Sequence, residues 1–437
     1  MKEENFKMKK KYAVCGVSMR AIFMYIQPMM ENFSPYADFV AMLDIDPLRF
    51  KLCKERIPAT KDVPTYMADE FEKMLEEQKP DALIVVCMDC AHKHYIVEGL
   101  KHGLDVICEK PMTTNTKDAL EIREVEKKSK GKLICTFNYR YTAAHTKLKE
   151  MVLDGKIGRV THVDLNWYID IHHGASYFNR WNRMRENSGS LSIHKSSHHF
   201  DLVNWWIDGI PQEVHAFGAL NHYGPEGPFN PSRKDGRHCT GCPEFRKCAY
   251  QTRFTNRVKN RTISDDFFGP LKQDWEKIFT DYTPDKCLFD KEINIYDTYV
   301  VNVRYKNGAF LNYSANFSTP YEGYRLAING THGRLETTEF GGIGTGIISD
   351  FHEGGSQYID YYPIFEGRER IHLPRTYGGH GGGDPKILED IFLGEDPDRK
   401  YDILAKSVDG LRAISIGDAV YNSIKNGGVQ DLSSFME

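Results

Sequence analysis

The chain of 437 residues lacks any apolar run of the roughly 18 residues that a membrane-crossing helix requires. It also lacks a basic excess: Lys and Arg number 57 against 61 Asp and Glu, for a net charge of -4. Its longest basic run is Lys9-Lys10-Lys11, which reads as a solvated leader. Neither a nucleic acid nor a membrane is therefore an expected partner. The opening MKEENFKMKK has no apolar core and no small-residue cleavage site, so no signal peptide is expected and the expected compartment is the cytoplasm. Disorder is excluded for the bulk of the chain, because 41% of residues are hydrophobic and 27% charged, an ordinary globular balance. Six of the ten cysteines (Cys15, Cys53, Cys87, Cys90, Cys108, Cys135) are scattered through strand-like or helical runs and read as small core residues, not as a disulfide framework.

What is present falls into two parts. Short apolar runs without alternation, at Tyr12 to Cys15, Phe39 to Leu43, Ala82 to Val86, Val106 to Cys108 and Leu133 to Thr136, predict strands covered on both faces. Helical stretches between them, such as Asp69 to Gln78 and His92 to His102, make the pattern a doubly wound parallel α/β sheet over residues 10–140. Residues 141–437 read as a second α/β domain with an antiparallel or mixed sheet backed by helices. An amphipathic helix at 141–155 leads into strands at 159–170, 213–219, 296–306, 309–318 and 324–329. Lys306-Asn307-Gly308 between two alternating runs is the clearest hairpin turn. Residues 221–290 are polar, loop-like and cysteine-bearing, and read as an insertion.

The dinucleotide fingerprint G-x-G-x-x-G is reduced to its first glycine. Gly16 is followed by Val17, Ser18, Met19, Arg20 and Ala21, so Ser18 and Ala21 fill the other two positions with small side chains. Asp44 ends the second strand 23 residues after Ala21, where an acidic side chain can accept hydrogen bonds from a ribose and repel a 2′-phosphate. After the strand at 106–108 comes Glu109-Lys110-Pro111, with His92 18 residues before Lys110.

On these residues the chain resembles the Gfo/Idh/MocA family of sugar and inositol oxidoreductases, whose hallmark is Glu-Lys-Pro after the fifth strand. The likeness continues through Asn138-Tyr139-Arg140-Tyr141, Gly155 to Gly158, the stretch from Gly189 to Asp201 and, more weakly, Asn329 to Gly333. It implies a Rossmann domain followed by an open-sheet α/β domain, NAD as cofactor, a small carbohydrate substrate and a homo-oligomer formed through the C-terminal sheet. Carried over position by position, it implies cofactor contacts at Gly16, Ser18, Met19, Arg20, Asp44, Asp89, His92, Glu109 and Lys110. The chain departs from the family at Cys87-Met88-Asp89, where Thr-Pro-Asn is usual.

The chemical end is marked by histidine. Five of 17 His lie within residues 172–199: His172, His173, His194, His198 and His199. Read as one helix, His194 and His198 are neighbours one turn apart, with Asp201 a further turn along. The resemblance makes Lys110 the lysine beside the substrate hydroxyl and His198 the base. The usual aspartate four residues before that base is replaced by His194, with Lys195 next to it, so His194 is a candidate for hydrogen bonding a hydroxyl, polarising a carbonyl or ligating a metal. Arg140, Arg180, Trp181, Arg183 and Lys195 are candidates for gripping a polyol, Trp181 by stacking on a sugar face. Trp205-Trp206 read as core. Gly378-Gly379-His380 through Asp384 reads either as a flexible loop with Asp384 capping the next helix or as a loop that lets His380 reach the site.

Cys239, Cys242 and Cys248 have a metal-like spacing, and His238 or Cys287 could supply a fourth ligand, so structural Zn or Fe is a further candidate. The leading expectation is an NAD(H)-dependent oxidoreductase acting on a secondary hydroxyl of a sugar, glycoside or polyol, with a base for the hydroxyl proton and a cation beside the developing alkoxide. Two rivals share the resemblance: a redox-neutral NAD-dependent glycoside hydrolase and a non-catalytic cofactor-binding sensor.

Overall fold

The computed structural model describes residues 9–239, 241–250, 286–341, 358–374 and 379–436. The chain divides into two compact units, Met1–Thr142 with Thr376–Ile414, and Ala143–Arg375 with Ser415–Glu437. Among the described residues no helix is long and apolar enough to cross a membrane.

The first unit is built on β1 (Lys10–Cys15), β2 (Ala37–Asp44), β3 (Thr65–Met67), β4 (Ala82–Val85), β5 (Asp105–Cys108) and β6 (Leu133–Cys135). They run parallel in the order β6-β5-β4-β1-β2-β3, and the short strand Ala405–Lys406 adds antiparallel to β6. All four residues of β4 are buried, as a strand with helices on both faces demands. The order turns back between β1 and β4, and that crevice at the carboxyl ends is where such sheets bind ligands. A helical segment begins at Met19, where Ser18 Oγ accepts the Ala21 N–H at 3.1 Å. Over Ile22–Ile26 it widens into a π turn ahead of Pro28, which has no N–H to continue the regular ladder.

The second unit carries β7 (Val160–Asp170), β8 (Pro211–Ala219), β9 (Thr298–Tyr305), β10 (Phe310–Thr319), β11 (Glu322–Gly330), β12 (Gly333–Gly341), β13 (Tyr358–Pro363) and β14 (Glu369–His372). The nine-stranded order is β14-β13-β12-β11-β7-β10-β9-β8, closed by Gln430–Asp431 beside β8. The β10–β7 pair is parallel, and the other neighbouring strands pair antiparallel. The predicted hairpin is β9–β10, with Gly308 at φ +82° and its N–H on the Tyr305 carbonyl at 3.0 Å. Alternation along β9 turns Tyr299, Val301, Val303 and Tyr305 inward and leaves Val300, Asn302 and Arg304 outside.

The structure differs from the sequence reading in two places. The strands β12, β13 and β14 were not anticipated, because their polar and aromatic residues give no clean alternation. Residues 191–206 are not one helix. Leu191–His194 and Ser197–Trp206 are separated at Lys195-Ser196, so His194 and His198 do not share one regular helical face. As read from the sequence, the described parts of the cysteine-bearing segment are mostly loop and turn, with helical residues at Ala249 and Tyr250 and an isolated bridge from His238 to Lys286; residues 251–285 lie outside the described residues.

The helix Leu191–His194 is seated against Gly417, where an added Cβ would stand 2.4 Å from the Ser192 carbonyl oxygen. Gly417→Ala would gain roughly 1 kcal/mol of helix propensity, but overpacking against a rigid backbone costs about 1–3 kcal/mol. We expect a lowered Tm, read by differential scanning calorimetry; a raised Tm would show that this contact does not constrain the histidine-bearing helix.

Candidate active site

At the carboxyl end of β1, Gly16 has φ +93°, and a Cβ there would come within 2.5 Å of the Cys87 backbone nitrogen. The backbone after β1 therefore packs directly on the backbone after β4, leaving a side-chain-free cradle. Ser18 replaces a glycine but is integrated: its hydroxyl caps the helix and also donates to the Val86 carbonyl at 3.2 Å. Asp44 is 6% exposed; its carboxylate accepts the Val17 N–H at 2.6 Å and the Asp46 N–H at 2.9 Å. Burial raises this carboxyl, while Arg49 and the two amides partly offset that.

After β5, Glu109 and Lys110 meet a dense set of charges. Arg20 Nε donates to Glu109 Oε1 at 2.7 Å, and the Tyr25 hydroxyl donates to the same oxygen at 3.0 Å. Burial pushes the Glu109 carboxyl up, but Arg20 and Lys110 outweigh it and hold the group below its ordinary range. Lys110 is pulled below the usual lysine range by burial, against the opposing pull of Asp89 and Glu109. Asp89, 4% exposed, is pushed up to about 7 by burial, with His92 and Lys110 countering. His92 is a tether: Nδ1 lies 2.8 Å from the Pro111 carbonyl and Nε2 3.1 Å from that of Cys87.

Asp384 is the unforeseen member of this cluster. Its carboxylate receives two hydrogen bonds from Arg20, at 2.8 and 3.1 Å, and one from Asn138 at 2.5 Å. His380 Nδ1 lies 3.1 Å from both its oxygens. Burial raises Asp384, but His380 and Arg20 outweigh it and hold the group well below the carboxylate range. The glycine-rich segment makes this geometry: His380, Gly381 and Gly382 all have left-handed backbones, at φ 49°, 59° and 84°. Asp384 thus ties Arg20 in place instead of simply capping a helix, and Gly378 lies outside the described residues.

In the second unit, His194 Nε2 is 3.1 Å from the Asn182 amide nitrogen, and the rings of Tyr177 and Trp181 stand edge-on to the imidazole, each at 5.5 Å. Lys195 and His198 are buried beside it in the chain. His199 is stacked on Trp167 at 3.7 Å and its Nδ1 meets the Tyr313 hydroxyl at 2.7 Å, which gives it a packing role. His173 belongs to the same histidine cluster. Its Nδ1 lies 2.9 and 3.0 Å from the two Glu322 oxygens, and its Nε2 lies 2.7 Å from the Tyr177 hydroxyl.

Residues 10–137 match the family described as "Oxidoreductase family, NAD-binding Rossmann fold", and residues 149–432 match its "C-terminal alpha/beta domain". The chain belongs to the Gfo/Idh/MocA oxidoreductase family. It is 51% identical over 416 residues, 95% of this chain and 96% of the other, to YteT of Bacillus subtilis (strain 168), whose name claims an oxidoreductase and nothing finer. It is also 24% identical over 192 residues to the myo-inositol 2-dehydrogenase of Thermotoga maritima, covering 44% of this chain and 54% of that one. Among solved structures, the WlbA dehydrogenase from Bordetella pertussis, in complex with NADH and UDP-GlcNAcA, shares the fold at a TM-score of 0.63 and 17% identity, covering 97% and 99% of the two chains.

In this Gfo/Idh/MocA chain the NAD-binding unit has a cradle that suits a dinucleotide: Gly16 without a side chain, the helix starting at Met19 and Arg20, and Asp44 closing β2. Several expected substrate contacts are otherwise engaged. Arg140 is 2% exposed and directs its guanidinium to the Ile403 carbonyl and the Asp409 carboxylate, each at 3.4 Å. Arg183 is fully buried against Asp290 at 3.0 Å. Arg180 donates from Nε to the Ser176 carbonyl at 2.7 Å, while Trp181 stays at His194. Trp205 and Trp206 are buried, as core residues. Among the described residues no group of three or more His, Cys, Asp or Glu side chains is arranged to hold a metal ion, so Cys239, Cys242 and Cys248, with His238 or Cys287, do not form the expected Zn or Fe site there. Spacing brought two thiols into one turn, where the Cys242 N–H meets the Cys239 carbonyl at 3.3 Å, but did not assemble a ligand shell.

The Asp89 carboxyl titrates near 7 folded and near 4 unfolded, so between those values the folded chain holds a proton that the unfolded chain has lost. Stability from this group therefore falls as pH rises through that window and is lowest above it. Asp89→Asn does not titrate. The Tm of the variant minus that of the wild type should rise by roughly 5 °C between pH 5 and pH 8; a difference that stays flat with pH would refute the buried, late-titrating carboxyl.

Proposed function

We propose that the chain is an NAD(H)-dependent oxidoreductase acting on a secondary hydroxyl of a sugar, glycoside or polyol. The observation that carries this reading is Lys110 at the carboxyl end of β5, half-buried between Asp89 and Glu109 in an NAD-binding unit. Bound NAD would supply the hydride acceptor, held by the Gly16 cradle with Asp44 at the ribose end. Asp44 favours NAD over NADP, because a 2′-phosphate would meet a carboxylate there. Lys110 offers a cation to the oxygen that gains charge as its C–H bond breaks, and its lowered proton affinity suits sharing a proton with that oxygen. The family resemblance assigns His198 as the base, and His194, Trp181 and Lys195 as groups that hold the carbohydrate. Two relatives whose names specify an inositol 2-dehydrogenase activity, from Rubrobacter xylanophilus and Thermotoga maritima, support a polyol as substrate.

The test is a panel of polyols, free sugars and glycosides incubated with NAD, following NADH absorbance and product together. NADH should accumulate in proportion to oxidised product. Lys110→Met should lower turnover ~100-fold or more while NAD affinity holds, since the lost interaction is with the substrate oxygen. Glycoside cleavage without net NADH, or an undiminished Lys110→Met rate, would overturn the reading.

We also infer a homo-oligomer formed through the outer face of the nine-stranded sheet. Phe217 and Phe310 are 68% and 50% exposed on β8 and β10, Val300 pairs with Phe217 across strands, and the adjoining groove is lined by His162, His215 and Asn302. Phe310 stands at the register of Arg304, four residues along the sheet from the Phe217–Val300 pair, and exposed apolar residues on an uncovered sheet face suit a self-complementary contact. Phe217→Glu with Phe310→Glu should shift the mass seen by light scattering from a multiple to the single-chain 50.3 kDa; a wild type already at that mass would sink the inference.

A further inference from the structure

Glu322, His173 and Tyr177 form a continuous carboxylate–imidazole–phenol line in the second unit. Nδ1 of His173 faces both Glu322 oxygens at 2.9 and 3.0 Å, so an ionised Glu322 makes Nδ1 the protonated nitrogen. In the neutral imidazole Nε2 is then the bare acceptor, and the Tyr177 hydroxyl at 2.7 Å donates to it. Burial alone would push the Glu322 carboxyl up, but His173 and Lys195 hold it below its ordinary range, which keeps it ionised. The line also has a direction in space. Tyr177 is 5% exposed and its ring abuts the His194 imidazole, whereas the His173 and Glu322 side chains are 36% and 26% exposed. A buried phenol beside the proposed carbohydrate-holding histidine is thereby connected to a pair that reaches water. The charged or titratable groups around His173 are Glu322 from β11, Tyr177 and Asp170 from its own segment, whose Oδ1 accepts the His173 N–H at 2.9 Å, and Lys195 acting on Glu322.

We propose that Tyr177 is a further catalytic acid/base residue that exchanges a proton with a hydroxyl of the bound carbohydrate, and that His173 and Glu322 are the residues that position and charge-balance it. The inference rests on the oxidoreductase reading above. In the oxidation direction the Tyr177 hydroxyl, in place of the His198 base that the family resemblance assigns, passes its proton to His173 Nε2 as the phenolic oxygen takes the proton of the substrate hydroxyl. With NAD bound as the hydride acceptor, the substrate C–H would give up its hydride and the C–O bond would become C=O, while ionised Glu322 stabilises the imidazolium. The half-exposed His173–Glu322 pair then releases one proton to water. One alcohol and one oxidised cofactor thus give one carbonyl, one reduced cofactor and one proton.

Single-turnover kinetics that follow NADH absorbance and proton release with an indicator dye test this, using Tyr177→Phe, His173→Gln and Glu322→Gln. A lost general acid/base typically costs on the order of 100-fold. Tyr177→Phe should cut kcat by about that factor with KM little changed, and proton release in Glu322→Gln should lag behind NADH formation. Added imidazole should restore part of the His173→Gln rate. If His198 alone handles the proton, Tyr177→Phe will turn over and release protons like the wild type, and the proposal falls. A second readout needs no turnover. In protein carrying 15N-histidine, the His173 Nδ1 and Nε2 shifts should report one protonated and one bare nitrogen. Molar glycerol should move the Nε2 shift in the wild type and leave it unmoved in Tyr177→Phe. An unresponsive Nε2 overturns the relay whether or not any sugar is oxidised, whereas a responsive Nε2 with no NADH from any substrate leaves the relay standing and refutes only the oxidoreductase reading.

Discussion

Glu109 is a carboxylate buried at the carboxyl end of β5, and an ionised carboxylate in that position is tolerable only with a cation against it. Arg20 supplies the cation at 2.7 Å, and removing one partner of such a pair typically costs about 3–5 kcal/mol. Much of the first unit's local structure follows from that requirement. Arg20 is presented from the turn after β1. Its far side is fastened by Asp384, and Asp384 is in turn fixed by Asn138 and by His380 on a left-handed backbone. The segment around residue 384 is therefore drawn back to the nucleotide-binding sheet from far along the chain, and Thr376–Ile414 belongs to that unit for the same reason.

The same network sets the electrostatic surroundings of Lys110. Lys110 has Asp89 and Glu109 beside it, but Glu109 is already shared with Arg20, and Asp89 is pushed to about 7 by burial. Lys110 is thus left with less counter-charge than its two neighbouring carboxylates suggest, and burial lowers its proton affinity. A lysine in that condition is suited to partial proton transfer with an oxygen, not to a fixed ion pair. The degraded glycine fingerprint fits the same picture. Ser18 costs the loop nothing, because its hydroxyl caps the helix and bonds the Val86 carbonyl, while Gly16 remains at the contact where a Cβ would collide with Cys87.

In the second unit the histidine concentration turns out to be three different things. His199 is packing, stacked on Trp167 and hydrogen bonded to Tyr313. His194 is bracketed by aromatic edges and an amide. His173 is linked to a carboxylate and a phenol. The residue type alone could not separate these, because imidazole serves all three settings and the distinction lies in what its two nitrogens meet.

The sequence by itself determined the parallel sheet of the first unit, since uninterrupted aliphatic runs between helical stretches can be buried only with helices on both faces. It also determined the β9–β10 hairpin, because Asn307-Gly308 favours the required left-handed turn, and it marked the family through Glu109-Lys110-Pro111. Tertiary structure decided the rest. The partnership of Arg20 with Asp384 spans 364 residues, and that of His173 with Glu322 spans 149, so no local spacing could announce either. Arg140 and Arg183 look in sequence like surface cations free to grip a polyol, yet both are buried against carboxylates. The turn at Lys195-Ser196 likewise separated His194 from His198. A side chain's chemistry is written in its residue type, but whether that chemistry is spent on the fold or kept for a ligand depends on which distant charge the folded chain places beside it.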